Sequence, residues 1–157
     1  MDNLTNSINQ VVEENALPHE WSKDVLAELK DLEVKNILRD DLRKVPFVTI
    51  DGKDAKDFDD AVFCEANEYG FVLQVAIADV AEIVELDSFI DKEAFLRGTS
   101  IYFPKRVIPM LPEKISNNLC SLVPNEDRNV LVCKINYSKE GEINSYEFSE
   151  AVINSHK

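Results

Sequence analysis

VPFVTIDGKDAKDFDDA, residues 45–61, joins an apolar run to five aspartates crowded within ten positions, and the reading of the whole chain turns on it. Val45, Phe47, Val48 and Ile50 are β-branched or aromatic and Pro46 suits a strand's start or edge, so Val45 to Ile50 is predicted as a strand that ends at Asp51. Beyond it stand Asp51, Asp54, Asp57, Asp59 and Asp60. Carboxylates this close repel one another, and the repulsion is relieved either by solvation on a loop or by a divalent cation. The second remedy would be a functional site.

The flanking composition narrows the choice. The 157 residues, 45% hydrophobic, suffice for one domain with a sizeable core. Formal net charge is -13, the wrong sign for a general nucleic-acid binder held by phosphate contacts, and leaving out the five clustered aspartates still leaves 25 acidic residues against 17 basic. A polyanionic substrate would therefore need metal in the site or basic surface from elsewhere. Cys64, Cys120 and Cys133 are odd in number and lack a CxxC pair, which argues for small core residues in a reducing compartment over a disulfide framework or zinc site. No apolar run has the length of a membrane span and MDNLTNSINQ lacks signal-peptide blocks, so the expectation is a soluble, cytoplasmic chain with no membrane partner.

Outward from the aspartates, most segments carry a clear period. MDNLTNSINQVVEEN is polar and Asn-rich and reads as a frayed lead-in. Trp21, Val25, Leu26, Leu29 and Leu32 recur at helical spacing, predicting an amphipathic helix over Trp21 to Leu32 with Ser22 at its start and Trp21 as a packing anchor. VKNILRDDLRKVP, with Arg39 and Arg43 beside Asp40 and Asp41, reads as a solvated connector. Ala61 to Glu65 and Phe71 to Ala78, joined by Asn67 to Gly70, predict a hairpin, and Ser88 to Leu96 predicts a short helix stopped at Gly98. TSIYF, residues 99–103, is strand-like, while the prolines at 104, 109, 112 and 124 leave room only for a short helix around Glu113 to Cys120. Val130 to Tyr137 and Ile143 to Ile153 predict a second hairpin, with alternation in Tyr146, Phe148 and Val152 suggesting that this face is buried.

The aspartate spacing can be set against known metal logic. An EF-hand loop needs oxygen ligands at positions 1, 3, 5 and 12 and Gly at 6, and it fails from every start: Gly52 is second from Asp51, Lys56 third from Asp54 and Ala61 fifth from Asp57. An all-carboxylate set suits a hard cation such as Mg²⁺ or Mn²⁺, which keeps waters and completes its shell with substrate phosphate oxygens. Spacing alone leaves phosphoryl-transfer chemistry and an acidic surface loop both open.

Longer motifs then carry a family likeness. RDDLRKVPFVTIDGKDAKDFDDAV, VAIADVAEIV, RGTSIYFPKRVIPMLPEKISNNLCSL and EAVINSH, in that order, resemble the opening part of the RNB catalytic domain of the ribonuclease II and ribonuclease R exoribonucleases, nearest the ribonuclease R branch, over about Asp40 to Lys157. The LPHEWSKDVLAEL segment looks like the stretch that precedes that domain. What the resemblance implies is a processive, Mg²⁺-dependent hydrolase that releases nucleoside 5′-monophosphates from the 3′ end of single-stranded RNA. Carried over by position, Asp51, Asp57, Asp59 and Asp60 would be the metal-site aspartates, with Asp59 the most critical for turnover and Asp54 a polar loop residue outside the four. Tyr102 resembles the family tyrosine that stacks near the terminal base and sets the size of the last product; packing in its own strand is the alternative. Lys105 and Arg106 read as plain basic surface, with phosphate contact as the other option. The chain departs from the pattern at Ala81 and Glu82, where many ribonuclease R proteins carry Ser-His, so a histidine role there is in doubt.

The expected architecture is α+β, a mostly antiparallel or mixed sheet with few helices: residues 1–39 a lead-in bearing one helix, residues 40–157 the N-terminal portion of an RNB domain. The downstream catalytic residues and the cold-shock and S1 domains of such enzymes are missing, so the isolated chain is expected to be inactive, and a non-catalytic module that keeps the fold is the alternative.

Overall fold

Two sequence-local hairpins build the sheet that carries the aspartate stretch, in a computed structural model that describes residues 3–34, 38–53 and 55–156. In chain order the first elements are α1 (Asn3–Glu14), α2 (Lys23–Glu28), β1 (Asp40–Asp41), β2 (Asp60–Ala66), β3 (Gly70–Ala78) and the short α3 (Val80–Ile83). There follow α4 (Phe89–Arg97), β4 (Ile101–Phe103), β5 (Arg106–Ile108), a π-helical turn at Lys114–Leu119, β6 (Asp127–Ser138) and β7 (Ile143–Asn154). The chain falls into two compact units, residues 1–33 with 84–113, and residues 34–83 with 114–157.

The second unit is a five-stranded sheet in the order β1-β7-β6-β3-β2, antiparallel except where β1 runs parallel to β7. The β2–β3 and β6–β7 hairpins match the expected pair, and the π-helical turn sits where a short helix was expected. Gly70 heads β3 at φ 154°, and a Cβ there would lie 2.0 Å from the Tyr137 carbonyl oxygen, so only glycine lets β3 close on β6 at that point. One face of the sheet buries Ala61, Ala76, Val130, Val132, Ala151 and Ile153; Phe47, Ile115 and Leu122 are likewise fully buried. Phe47 meets Phe63 edge-on at 6.3 Å between centroids. Each large side chain so buried contributes about 1.5–3 kcal/mol.

Three expectations are corrected in this unit. Val45 to Ile50 is not a strand: only Val48 pairs, in a single antiparallel bridge to Val62, because Pro46 has no N–H and the Phe47 carbonyl accepts from His156. The buried face of β7 is not that of Tyr146 and Phe148, which are 65% and 74% exposed; Ala151 and Ile153 on the opposite parity are buried. The period of two was right, but periodicity does not say which face meets the core. Nor is VKNILRDDLRKVP simply solvated. Lys35 to Ile37 lie outside the described residues, but the Arg39 side chain is only 2% exposed and its guanidinium donates to Asp79 at 2.6 Å, Glu82 at 3.1 Å and the Val130 carbonyl at 3.3 Å. Asn129 adds a 2.7 Å bond to the same Glu82 oxygen.

In the first unit the N-terminal segment is not frayed over its described length. Leu4, Ile8, Val11 and Val12 form a helical stripe, and buried Ile8 and Val12 pack with Ile108 against Leu17, Ile101 and Phe103. The expected Trp21 to Leu32 helix shortens to α2, capped by the Ser22 hydroxyl, which accepts from the Val25 N–H. α4 forms as expected, with Ser88 as N-cap and Gly98 at φ 70° as its stop; the Glu28 carboxylate accepts from the Phe89 and Ile90 N–H groups. Trp21 is the anchor foreseen, stacked 3.6 Å under the Arg97 guanidinium, which also donates to the carbonyls of Pro18, Glu20 and Pro109. Among the described residues no helix is long and apolar enough to cross a membrane.

Removing one partner of a buried ion group strands the others. Arg39→Ala is expected to cost about 3–5 kcal/mol in urea denaturation, whereas Arg43→Ala, which breaks an exposed pairing with Asp41 and Asp127, should leave the midpoint almost unmoved.

Candidate functional site

The chain between β1 and β2 is pinned at both ends and at its middle. At its start the Leu42 N–H donates to the Val152 carbonyl at 2.9 Å, and Val48 and Val62 exchange bonds of 3.0 and 2.9 Å. At its far end the Ala78 N–H donates to the Asp59 carbonyl and the Leu122 N–H to the Phe58 carbonyl, each at 2.9 Å. Between them, the fully buried Ser121 hydroxyl accepts from the Phe58 N–H at 3.0 Å and donates to the Lys56 carbonyl at 2.8 Å. The backbone on either side of Asp57 is thereby tied to one side chain. Gly52 accepts from the Ala55 N–H at 3.0 Å, closing a turn after Asp51; Asp54 lies outside the described residues.

Held this way, the aspartates share one electrostatic neighbourhood. Partial withdrawal from water, then the fields of Asp57, Asp60 and Asp51, raise the Asp59 carboxyl above the ordinary carboxylate range. Nearby, burial and then the Asp59 field push the Cys120 thiol up to about 12. Asp51, Asp59 and Asp60 are exposed and Asp57 half-buried. The donor set, carboxylate oxygens alone, has the chemistry of a hard divalent cation's site, and a cation would offset the repulsion that raises Asp59. Among the described residues no three His, Cys, Asp or Glu side chains close into a group able to enclose an ion. None of the four aspartates lines the unit's main cleft, about 470 Å³ in volume and bordered by Asp79, Cys120 and Arg128.

Tyr102 belongs to the other unit. It stands on β4, 67% exposed, opposite Val107 in the tight β4–β5 hairpin. The hairpin turns at Pro104 and Lys105, and Lys105 takes a left-handed φ of 63°. Arg106 is drawn inward, donating to the Asn9 carboxamide oxygen at 2.7 Å, so it is not plain basic surface. Ala81 and Glu82 leave no histidine at that place; Glu82 serves Arg39 and Asn129 instead.

Ser121 is the site residue that sequence reasoning missed. Its signal was present, a small hydroxyl between apolar Cys120 and Leu122, since a buried hydroxyl in such a setting must find partners.

Compared with known proteins, residues 39–157 match the family model described as the RNB domain. The protein from Acidithiobacillus ferrooxidans named ribonuclease R is 51% identical over 146 residues, covering 90% of this chain and 33% of that one. Ribonuclease R of Vibrio parahaemolyticus is also 51% identical over 146 residues, 89% of this chain but 18% of its own length. Among solved structures, Mycoplasma genitalium RNase R in complex with double-stranded RNA superimposes with a TM-score of 0.93 at 38% identity, over 99% of this chain and 28% of that chain. The chain thus spans from under a fifth to a third of these relatives' lengths.

Two stability measurements probe the loop. Ser121→Ala leaves the Phe58 N–H and Lys56 carbonyl without their partner and should cost about 1–3 kcal/mol, read as a lowered urea midpoint. For Asp59, the folded chain holds the proton more tightly than the unfolded one, so its contribution to stability falls as pH rises out of the ordinary carboxylate range. Asp59→Asn should accordingly raise Tm at pH 7 and leave it unchanged near pH 3, where both states are protonated, as calorimetry would show.

Proposed function

Because this chain belongs to the RNB-domain family, we propose that it supplies the aspartate part of the catalytic centre of a divalent-metal-dependent exoribonuclease, one that hydrolyses single-stranded RNA from its 3′ end to nucleoside 5′-monophosphates. The observation that carries the reading is the convergence of the Asp51, Asp57 and Asp60 fields on Asp59, in a loop within the matched stretch. Asp51, Asp57, Asp59 and Asp60 would hold Mg²⁺, with Mn²⁺ as the alternative. When bound, such ions activate water and stabilise the leaving oxygen in phosphodiester cleavage.

The protein's own residues do the positioning. Asp59 must be ionised to bind a cation, and its raised proton affinity means that cation and proton compete for the carboxylate over a range above that of an ordinary aspartate. Ser121 fixes the backbone around Asp57, and the bond from the Ala78 N–H fixes Asp59 at the start of β2, so the carboxylates are presented from a braced loop. Tyr102 offers a ring for stacking on a terminal base. The solved RNase R relative is a complex with double-stranded RNA, which supports RNA as the ligand class. The substrate's phosphates need cationic partners that a chain of net charge -13 supplies poorly, so gripping RNA falls to the cold-shock and S1 domains and to residues beyond the matched stretch.

The test compares the isolated chain with a chimera in which it replaces the matched stretch of the Vibrio parahaemolyticus ribonuclease R. With Mg²⁺ and 5′-labelled single-stranded RNA, the chain alone should release almost no monophosphate and the chimera should degrade the RNA. Asp59→Asn in the chimera should lower the rate by about 10²–10⁴-fold, and Tyr102→Ala should change the length of the shortest product. A chimera that folds and binds RNA but hydrolyses none would instead favour a non-catalytic module.

A further inference from the structure

The β-sheet has two faces, and only one of them is covered. The register sets Phe148, Cys133, Val75 and Val62 side by side across the four strands of the uncovered face. The next row is Tyr146, Ile135, Leu73 and Cys64, and the row after it is centred on Tyr137 and Phe71. None of these side chains is fully buried: Phe148 is 74% exposed, Tyr146 65% and Phe71 45%, and Tyr146 and Phe148 meet only each other edge-on at 5.8 Å. These three rows carry no charge. Strands about 4.8 Å apart with same-face residues about 6.8 Å apart give the patch a footprint of roughly 400 Å², at the size where exposed apolar surface marks an interaction site. The charged border is the fourth row, where Asp60 and Glu150 flank Ile77 and Leu131.

We propose that this face is the docking surface for a further layer of RNB-domain polypeptide, formed by residues that the longer relatives carry outside the stretch matched here. The matched stretch is 18% of the Vibrio parahaemolyticus protein and 28% of the Mycoplasma genitalium chain, so each holds ample polypeptide to supply such a layer. A sheet with one solvent-facing apolar surface is half of a layered architecture, completed by a helix or second sheet presenting its own apolar stripe. A second copy of this chain is the poorer occupant, since a net charge of -13 repels its twin. The docked layer would border Asp60, the only one of the four site aspartates that lies in a row of this face, and so could bring further side chains to the metal site. The proposal rests on family membership and is independent of nuclease activity.

Cys64 and Cys133 lie in the apolar rows and report on their cover, while the buried Cys120, its thiol raised to about 12, serves as an unreactive internal standard. The isolated chain and the Vibrio parahaemolyticus chimera are treated with N-ethylmaleimide and mapped by mass spectrometry. The expected result is labelling of Cys64 and Cys133 at least tenfold slower in the chimera, with Phe148→Ser lowering the chimera's Tm but not that of the isolated chain. Equal labelling rates overturn the proposal. So does a chimera that fails to fold although the chain alone folds, and so does protection in the isolated chain that grows with concentration alongside a sedimenting dimer. RNA hydrolysis by the chimera is scored separately: slowed labelling without hydrolysis keeps the docking surface and removes the nuclease reading.

Discussion

The buried guanidinium of Arg39 is the constraint on which the placement of the aspartate loop depends. Its bonds to Asp79, Glu82 and the Val130 carbonyl tie the residue before β1 to the end of β3, to α3 and to β6. With that tie made, Asp40 and Asp41 pair with Ala151 and Val152, and the loop leaves from a fixed post. β2 is the other post. A guanidinium and two carboxylates out of water contribute little net stability, and their directional bonds serve mainly to make one arrangement better than its neighbours. Glu82 occupies a place where many family members carry histidine, so in this chain the position works as part of the brace.

The same design explains how an unfavourable cluster persists. Four carboxylates near one another oppose folding, and the surroundings must outweigh them. Ser121, Val48 and the backbone bonds to Asp59 do so by giving the loop no lower-energy path away from the cluster. Strain of this kind, held by a rigid frame, is common where charge is to be placed at the disposal of a ligand.

Hairpins and helix stops were legible because their signals are local. Asn67 to Gly70 and Gly141 mark turns, and Ser88 and Gly98 bound a helix, whatever the rest of the chain does. What misled was anything decided by distant partners. Arg39 looks like surface until Asp79 and Glu82 are brought to it from forty or more residues away. The aromatic residues of β7 look like core because their alternation is clean, and a face left open to solvent has the same period as a face that is packed. The apolar Val45 to Ile50 run has strand composition, yet Pro46 and the bond from His156 leave it a single bridge. For the site, the grouping of aspartates was legible and the family likeness separated four of them from Asp54, whereas Ser121 became visible only with its two bonds in place.

Between β3 and β6 the chain leaves the sheet, builds most of another compact unit from residues 84–113, and returns. This detour has a kinetic consequence. Each hairpin closes over a few residues and can form within microseconds, but joining β3 to β6 closes a loop of some fifty residues, whose entropy is lost before any pairing rewards it. Registration of these central strands is therefore the natural bottleneck of refolding. During synthesis, β2 and β3 wait with an unsatisfied strand edge until β6 has been made, an interval in which a chaperone or a neighbouring nascent chain could compete for it.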